Sequence, residues 1–161
     1  MNTNILKQIS ILSLFLGGAL GAITSIPYID GIAFWILMCL SAPIIILFMI
    51  KMEMLDIQTV KESIVIGSII GFVSFIGFSI IYIPITVLLI KLFNYASNYG
   101  MAVTLSQASF LLIVVFVLFV SVLSATINAF SGFLTYYGID LYKMLNKKDD
   151  SFNLENYDDR I

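Results

Sequence analysis

Apolar residues run through this chain in four long blocks separated by short polar stretches, at about residues 6–26, 32–54, 63–93 and 110–137. A helix rises about 1.5 Å per residue and needs roughly 20 residues to cross about 30 Å of hydrocarbon, so each block is long enough to span a bilayer. The pattern predicts an all-α fold: an integral membrane four-helix bundle within residues 1–137, followed by a charged tail over 138–161.

The polar breaks set the connections. "PYIDG" is so short that the first two helices must form a tight antiparallel hairpin, with Pro27 ending the first and Asp30-Gly31 supplying turn chemistry. "KMEMLDIQTVKES" joins helices two and three. The third block is longer than one crossing requires and contains Pro84, which removes a helical hydrogen bond and crowds the preceding turn, so a kink or break is expected there. The spanning part is expected over Ser63 to Ile83, with a segment to Phe93 that tilts or lies along the interface. Pro43 in "CLSAPII" predicts a second kink, in helix two. "NYASNYGMAVTLSQ" reads as an uncharged polar loop with Tyr95 and Tyr99 as interfacial anchors, and Tyr136 and Tyr137 as part of the opposite aromatic belt. The tail, charged and poor in apolar residues, reads as unstructured, with a docking peptide as the alternative.

Composition agrees with the pattern. The 161 residues are 60% hydrophobic and 11% charged, with mean hydropathy +1.05, far from a soluble domain of this length. Of eight Lys and Arg, all but Lys91 fall in the N-terminus, the middle loop or the tail. This positive-inside bias predicts an inner (cytoplasmic) membrane protein with both termini cytoplasmic. Lys7 ahead of an apolar stretch ending in "ALG" also fits a secretory signal, but the segment's length and its glycine spacing favour a span of the mature protein.

That spacing is the first candidate feature. Gly17, Gly21 and Ser25 recur every fourth residue in the first helix, beside Gly18 and Ala22. In the third, Ser63, Gly67, Gly71, Ser74 and Gly77 follow at intervals of three or four. Lipid offers little net apolar attraction between helices, so such small-residue faces act by letting backbones approach closely. Gly17, Gly21, Gly67, Gly71 and Ser74 are therefore expected to form one seam between helices one and three, with an outward-facing stripe and homo-oligomerisation as the alternative.

At this point the chain resembles a group of small bacterial and archaeal membrane proteins without an assigned function. The resemblance covers about residues 16–90 and rests on "GGALGAITSIPYI", "VKES", "GSIIGFVSFIGF" and "IPI". In that group the turn after the first Ile-Pro is usually followed by asparagine and a cysteine cluster; here "DGIAFWILMC" keeps only Cys39. The resemblance implies the fold and no activity, and the departure argues against metal or redox chemistry.

Few residues of this chain carry chemistry. There is no histidine, one cysteine, and no ionisable residue expected at bilayer depth, whereas pumps and proton-coupled transporters place such groups there. Asp30 is a lone carboxylate at the outer turn, a poor cation site. The serines have no basic partner for nucleophilic catalysis. No catalytic, cofactor-binding or metal residues are assigned, and the few basic residues, balanced by carboxylates, exclude nucleic acid. One polar feature stands out: Ser121, Ser124, Asn128, Ser131 and Thr135 share a face of the fourth helix. An unpaired amide in hydrocarbon is costly, so Asn128 must face protein or water. The stripe either hydrogen-bonds within the bundle or forms a candidate polar path. The expected function is a structural, assembly or accessory role, with the lipid bilayer and a homo-oligomer or membrane-protein partner. The alternative is a subunit of an oligomeric channel or transporter for ions or small solutes. A lipid-active enzyme is a remote third.

Overall fold

The computed structural model describes residues 3–26, 29–95 and 98–158, with side chains up to Leu145 other than those of residues 99, 101, 102 and 106. The described elements are helical: α1 (Thr3–Thr24), α2 (Asp30–Lys51), α3 (Val60–Phe93), α4 (Tyr99–Gln107) and α5 (Phe110–Asp158). Four of them, α1, α2, α3 and α5, are long and apolar enough to cross a membrane, and they pack together, which makes this a multi-pass membrane protein. Pro27 and Tyr28, and with them the helix-ending role expected of Pro27, lie outside the described residues.

The central helix is α3, which packs along α1 on one side and α5 on the other, while α2 covers the junction. It begins with local chemistry that the sequence carries openly. Thr59, in extended conformation, accepts a hydrogen bond from the Glu62 backbone N–H at 3.3 Å, and the Glu62 carboxylate accepts from the Gln58 N–H at 3.2 Å, a variant of the capping box. It ends at Asn94, whose φ of 51° is left-handed and closes the helix as a C-terminal Asn can. The helix runs without interruption across Pro84.

Apolar packing is divided between two depths. Toward the end bearing Lys7 and Lys51, Ile9 of α1, Ile45, Ile46 and Met49 of α2, and Ile66 and Ile70 of α3 are buried together. Toward the other end, Leu20, Leu37 and Met38 pack with Phe75, Phe78 and Tyr82, and the Phe78 and Tyr82 rings stack with centroids 5.0 Å apart. Small residues are interspersed along both levels, Gly21 beside Phe78 at one and Gly132 beside Ser63 at the other.

Three elements differ from the sequence pattern. A short helix, α4, stands where a polar loop is expected: Tyr99–Gln107 places Thr104 and Leu105 against the end of α3, and the Thr104 hydroxyl donates to the Gly100 carbonyl at 2.9 Å. Tyr95, expected as an anchor, is half-buried; the Tyr99 side chain lies outside those described. α5 does not stop near Tyr137 but continues as helix to Asp158, over residues whose sequence reads as an unstructured tail. No proline follows Tyr137, and Leu, Lys and Met, which are good helix formers, carry the backbone on. α2, finally, is not a uniform helix: between Asp30–Trp35 and Ser41–Lys51 it passes through a π-turn at Ile36–Leu40.

Candidate functional site

The small residues form two seams rather than the single one expected. In the α1–α3 seam, a Cβ built on Gly17 would fall onto the carbonyl oxygen of Ser74, one on Gly21 would lie 2.7 Å from the Phe78 carbonyl oxygen, and one on Gly77 2.5 Å from that of Leu14. Ser74 and Gly77 thus belong to this seam. Gly67 and Gly71 do not. A Cβ on Gly67 would overlap the carbonyl oxygen of Asn128, and one on Gly71 would lie 2.5 Å from the Ser124 carbonyl oxygen and 2.7 Å from the Asn128 Cβ. Opposite them, Gly132 of α5 meets α3 in the same manner, with the Ser63 carbonyl oxygen 2.6 Å from its missing Cβ.

The reason is position along the helix. A step of four residues turns about 400° and a step of three about 300°, so 63, 67 and 71 drift over about 80° one way and the steps to 74 and 77 come back across the same arc. What reads as one stripe is shared by two neighbours at different heights, α5 beside Gly67 and Gly71 and α1 beside Ser74 and Gly77.

The second seam carries the candidate site. Pro43 has no N–H, and its ring displaces the carbonyl four residues before it; the π-turn stands immediately ahead of it. The amide of Asn128 sits in this break. Its Oδ1 accepts from the Ala42 N–H at 2.9 Å. Its Nδ2 donates to the Met38 carbonyl at 2.9 Å, to that of Leu37 at 3.3 Å and to the Ser124 carbonyl of its own helix at 3.1 Å. The Ser41 hydroxyl adds a second donor to the Leu37 carbonyl, at 2.7 Å. Asn128 is 0% exposed. Its oxygen and nitrogen are both engaged, and all but one of the partners are backbone groups. One side chain of α5 thus substitutes for the hydrogen bonds that α2 loses at its interruption.

The seam positions that amide. Gly67 and Gly71 bring α5 against the α3 backbone, and two hydroxyls fix the register: Ser63 Oγ donates to the Gly132 carbonyl at 2.7 Å, and Ser124 Oγ to that of Gly71 at 3.0 Å. The other members of the polar stripe turn inward on their own helix. Ser121 Oγ donates to the Val117 carbonyl at 2.7 Å and Thr135 Oγ1 to that of Ser131 at 2.8 Å, while Ser131 is half-buried. The structure therefore brings Ser124 and Asn128 together with Gly67 and Gly71, and leaves Gly17, Gly21 and Ser74 at the other seam. The partners in α2, Leu37, Met38 and Ala42, were not legible as site residues; the signal for them was Pro43.

Two cavities bordering α5 lie apart from this site, and a further one of about 320 Å3 lies between α1 and α2 beside Phe15 and Phe48. One, of about 350 Å3, is bounded by α3, α4 and α5 and lined by apolar side chains such as Phe78, Leu105 and Phe116. Its Ser79 hydroxyl donates to the Phe75 carbonyl at 2.9 Å and its Thr104 hydroxyl to the Gly100 carbonyl, so both hydroxyl hydrogens are committed within their own helices. The other, about 70 Å3, lies at the opposite end between the α2–α3 connection and α5, among Asp56, Tyr136, Asp140 and Lys143. Among the described residues no group of three or more His, Cys, Asp or Glu could hold a metal ion, and Cys39 is a free, half-buried thiol. Asn128 is neutral at every ordinary pH; what it can do chemically is hold backbone.

Comparison with protein-family models, with curated proteins and with solved structures matches none of them.

Proposed function

We propose that this protein is a structural, assembly or accessory component of the inner (cytoplasmic) membrane, packing through small-residue helix faces within the protomer and onto membrane-protein partners. The single observation that carries this reading is the complete burial of the Asn128 amide, with its hydrogen bonds directed to protein backbone. A permeation path would need Asn128, Ser121 and Ser124 facing water, whereas their polar atoms are engaged by the bundle. In this reading both termini are cytoplasmic, α1 and α2 form a tight antiparallel hairpin, Pro84 kinks α3 without breaking it, and the protein catalyses no reaction of its own.

Purified protein in proteoliposomes tests the proposal. Leak of ions and small neutral solutes should equal that of empty vesicles, and Asn128→Leu should lower thermal stability without changing leak. A flux above background that Asn128→Leu abolishes would overturn it in favour of the oligomeric channel or transporter.

A further inference from the structure

The cavity between α1 and α2 differs from the other two in what stands at its mouth. It is a groove of about 320 Å3 between Ile11, Leu12 and Phe15 of α1 and Phe48 and Met49 of α2, with Met54 from the turn beyond. Local hydrogen bonds build that turn. The Glu53 N–H donates to the Ile50 carbonyl and the Met54 N–H to the Met49 carbonyl, both at 3.0 Å, and Glu53 takes a left-handed φ of 57°. This is the Schellman ending, which folds the residue after the turn back onto the last turn of the helix. Met54 and Met49 thus close one wall of the groove with flexible thioether side chains.

One end of the groove is basic. Gln8 and Met54 border it there. Lys7 adjoins Gln8 and stands one turn from Ile11 on the same face of α1, and Lys51 stands three residues from Phe48 on the same face of α2. Both lysines are exposed, and neither has an ion-pair partner among the described residues. α1 carries no carboxylate. Glu53 is exposed on the turn, and the next acid along the chain, Asp56, lines the small cavity beside α5, so two cations stand against one carboxylate. The other cavities lack this arrangement: no basic residue lines the one of about 350 Å3, and in the smallest Lys143 stands beside Asp56 and Asp140.

The chemistry of the groove narrows its occupant. Water needs two or more polar partners, which apolar walls do not offer. A peptide strand would leave its backbone N–H and C=O groups unpaired against Ile11, Phe15 and Phe48. A second copy seated across a two-fold axis would bring the same lysines toward each other. An apolar chain that ends in an anion meets every part of the site. We infer that this groove binds an anionic phospholipid. One acyl chain lies along Ile11, Phe15 and Phe48, over roughly 10 Å of α1 between residues 8 and 15, and the headgroup phosphate accepts from Lys7, Lys51 and the Gln8 amide. One lysine near an anionic headgroup contributes about fivefold in affinity, so the pair gives on the order of 25-fold preference over a zwitterionic lipid with the same chains. This site goes beyond the assembly role proposed above and does not depend on it.

Thermal unfolding of the full chain in a neutral detergent, titrated with dioleoylphosphatidylglycerol or dioleoylphosphatidylcholine, tests it. The anionic lipid should raise the melting midpoint at a concentration about 25-fold lower than the zwitterionic one. Lys7→Gln with Lys51→Gln, at two exposed positions, should remove that preference. Glu53→Gln should sharpen it about fivefold, and Lys61→Gln, exposed at the start of α3, should leave it unchanged. A diazirine on the acyl chain of the anionic lipid should label Phe15 and Phe48. Equal response to the two lipids overturns the inference, and so does an equal loss on Lys61→Gln, which would make the attraction diffuse. Inorganic phosphate reproducing the shift by itself overturns it as well, as does label spread over the exposed face of α5 with none in the groove. Vesicle leak reads the assembly role and leaves this preference untouched, so the two failures are distinguishable.

Discussion

The two faces of α3 solve one problem in different ways. Against α1 it relies on backbone approach: Gly17, Gly21 and Gly77 leave room for carbonyl oxygens of the facing helix, while Ser13, Thr24 and Ser25 turn their hydroxyls onto α1 itself, at 2.7, 2.6 and 3.2 Å. The Ser74 hydroxyl, fully buried at this seam, has no partner among the described residues. Against α5 the same close approach is joined by hydrogen bonds between helices at Ser63, Ser124 and Asn128. Dispersion between smooth backbones changes little with a small slide, whereas a hydrogen bond to one particular carbonyl fixes the register. The α1 seam sets distance; the α5 seam sets distance and alignment.

Substitutions can break this contrast. Gly17→Ala should have the largest effect, because its Cβ falls on the Ser74 backbone and neither partner is a flexible side chain; a loss of about 3 kcal/mol, the upper end of ordinary overpacking, should appear in thermal unfolding in detergent. Gly18→Ala, which meets the Ile81 side chain at 3.3 Å and backbone no closer than the Gly77 carbonyl oxygen at 3.9 Å, serves as its tolerant neighbour. Asn128→Leu should cost about 2 to 3 kcal/mol by removing the partners of the Ala42 N–H and the Met38 carbonyl, the Leu37 carbonyl keeping that of Ser41, and hydrogen exchange should rise at Ala42 more than elsewhere in α2. Ser63→Ala should cost only about 0.6 kcal/mol, the usual value of one interhelical hydrogen bond in a membrane. The smallest effect has the opposite sign. Gly138 has nothing within 4 Å of a built Cβ, so Gly138→Ala should stabilise α5 by about 0.5 kcal/mol through backbone entropy, read as a raised melting midpoint.

Much of this was legible in the chain itself. Four apolar blocks gave four spans because length and hydropathy are local properties that lipid reads directly. Asn128 was visible because an amide among Ile127 and Ala129 is anomalous in hydrocarbon. Less visible was what it would bind, since the answer lay 86 to 91 residues away in the backbone of α2, and backbone groups carry no residue label. Pro43 announced a defect, but not which side chain would fill it. The splitting of the α3 glycines between two neighbours was lost for a related reason: spacing alone defines rows on a cylinder, and only the positions of α1 and α5 decide which row meets which helix. The α4 helix was hidden by Gly100 and Ser106 and by the Asn and Ser residues just ahead of it, and the end of α5 by charge that suits a solvated helix as well as a coil.

The interruption in α2 also sets an order of assembly. Its unpaired groups leave the ribosome near residue 40, and the amide that satisfies them follows almost 90 residues later, a delay of roughly 5 to 20 s at ordinary rates of synthesis. Until α5 arrives, a nascent chain holds naked peptide groups in or beside lipid, and a product cut short before Asn128 holds them permanently. The last span is thus the one that completes the hydrogen bonding of the second.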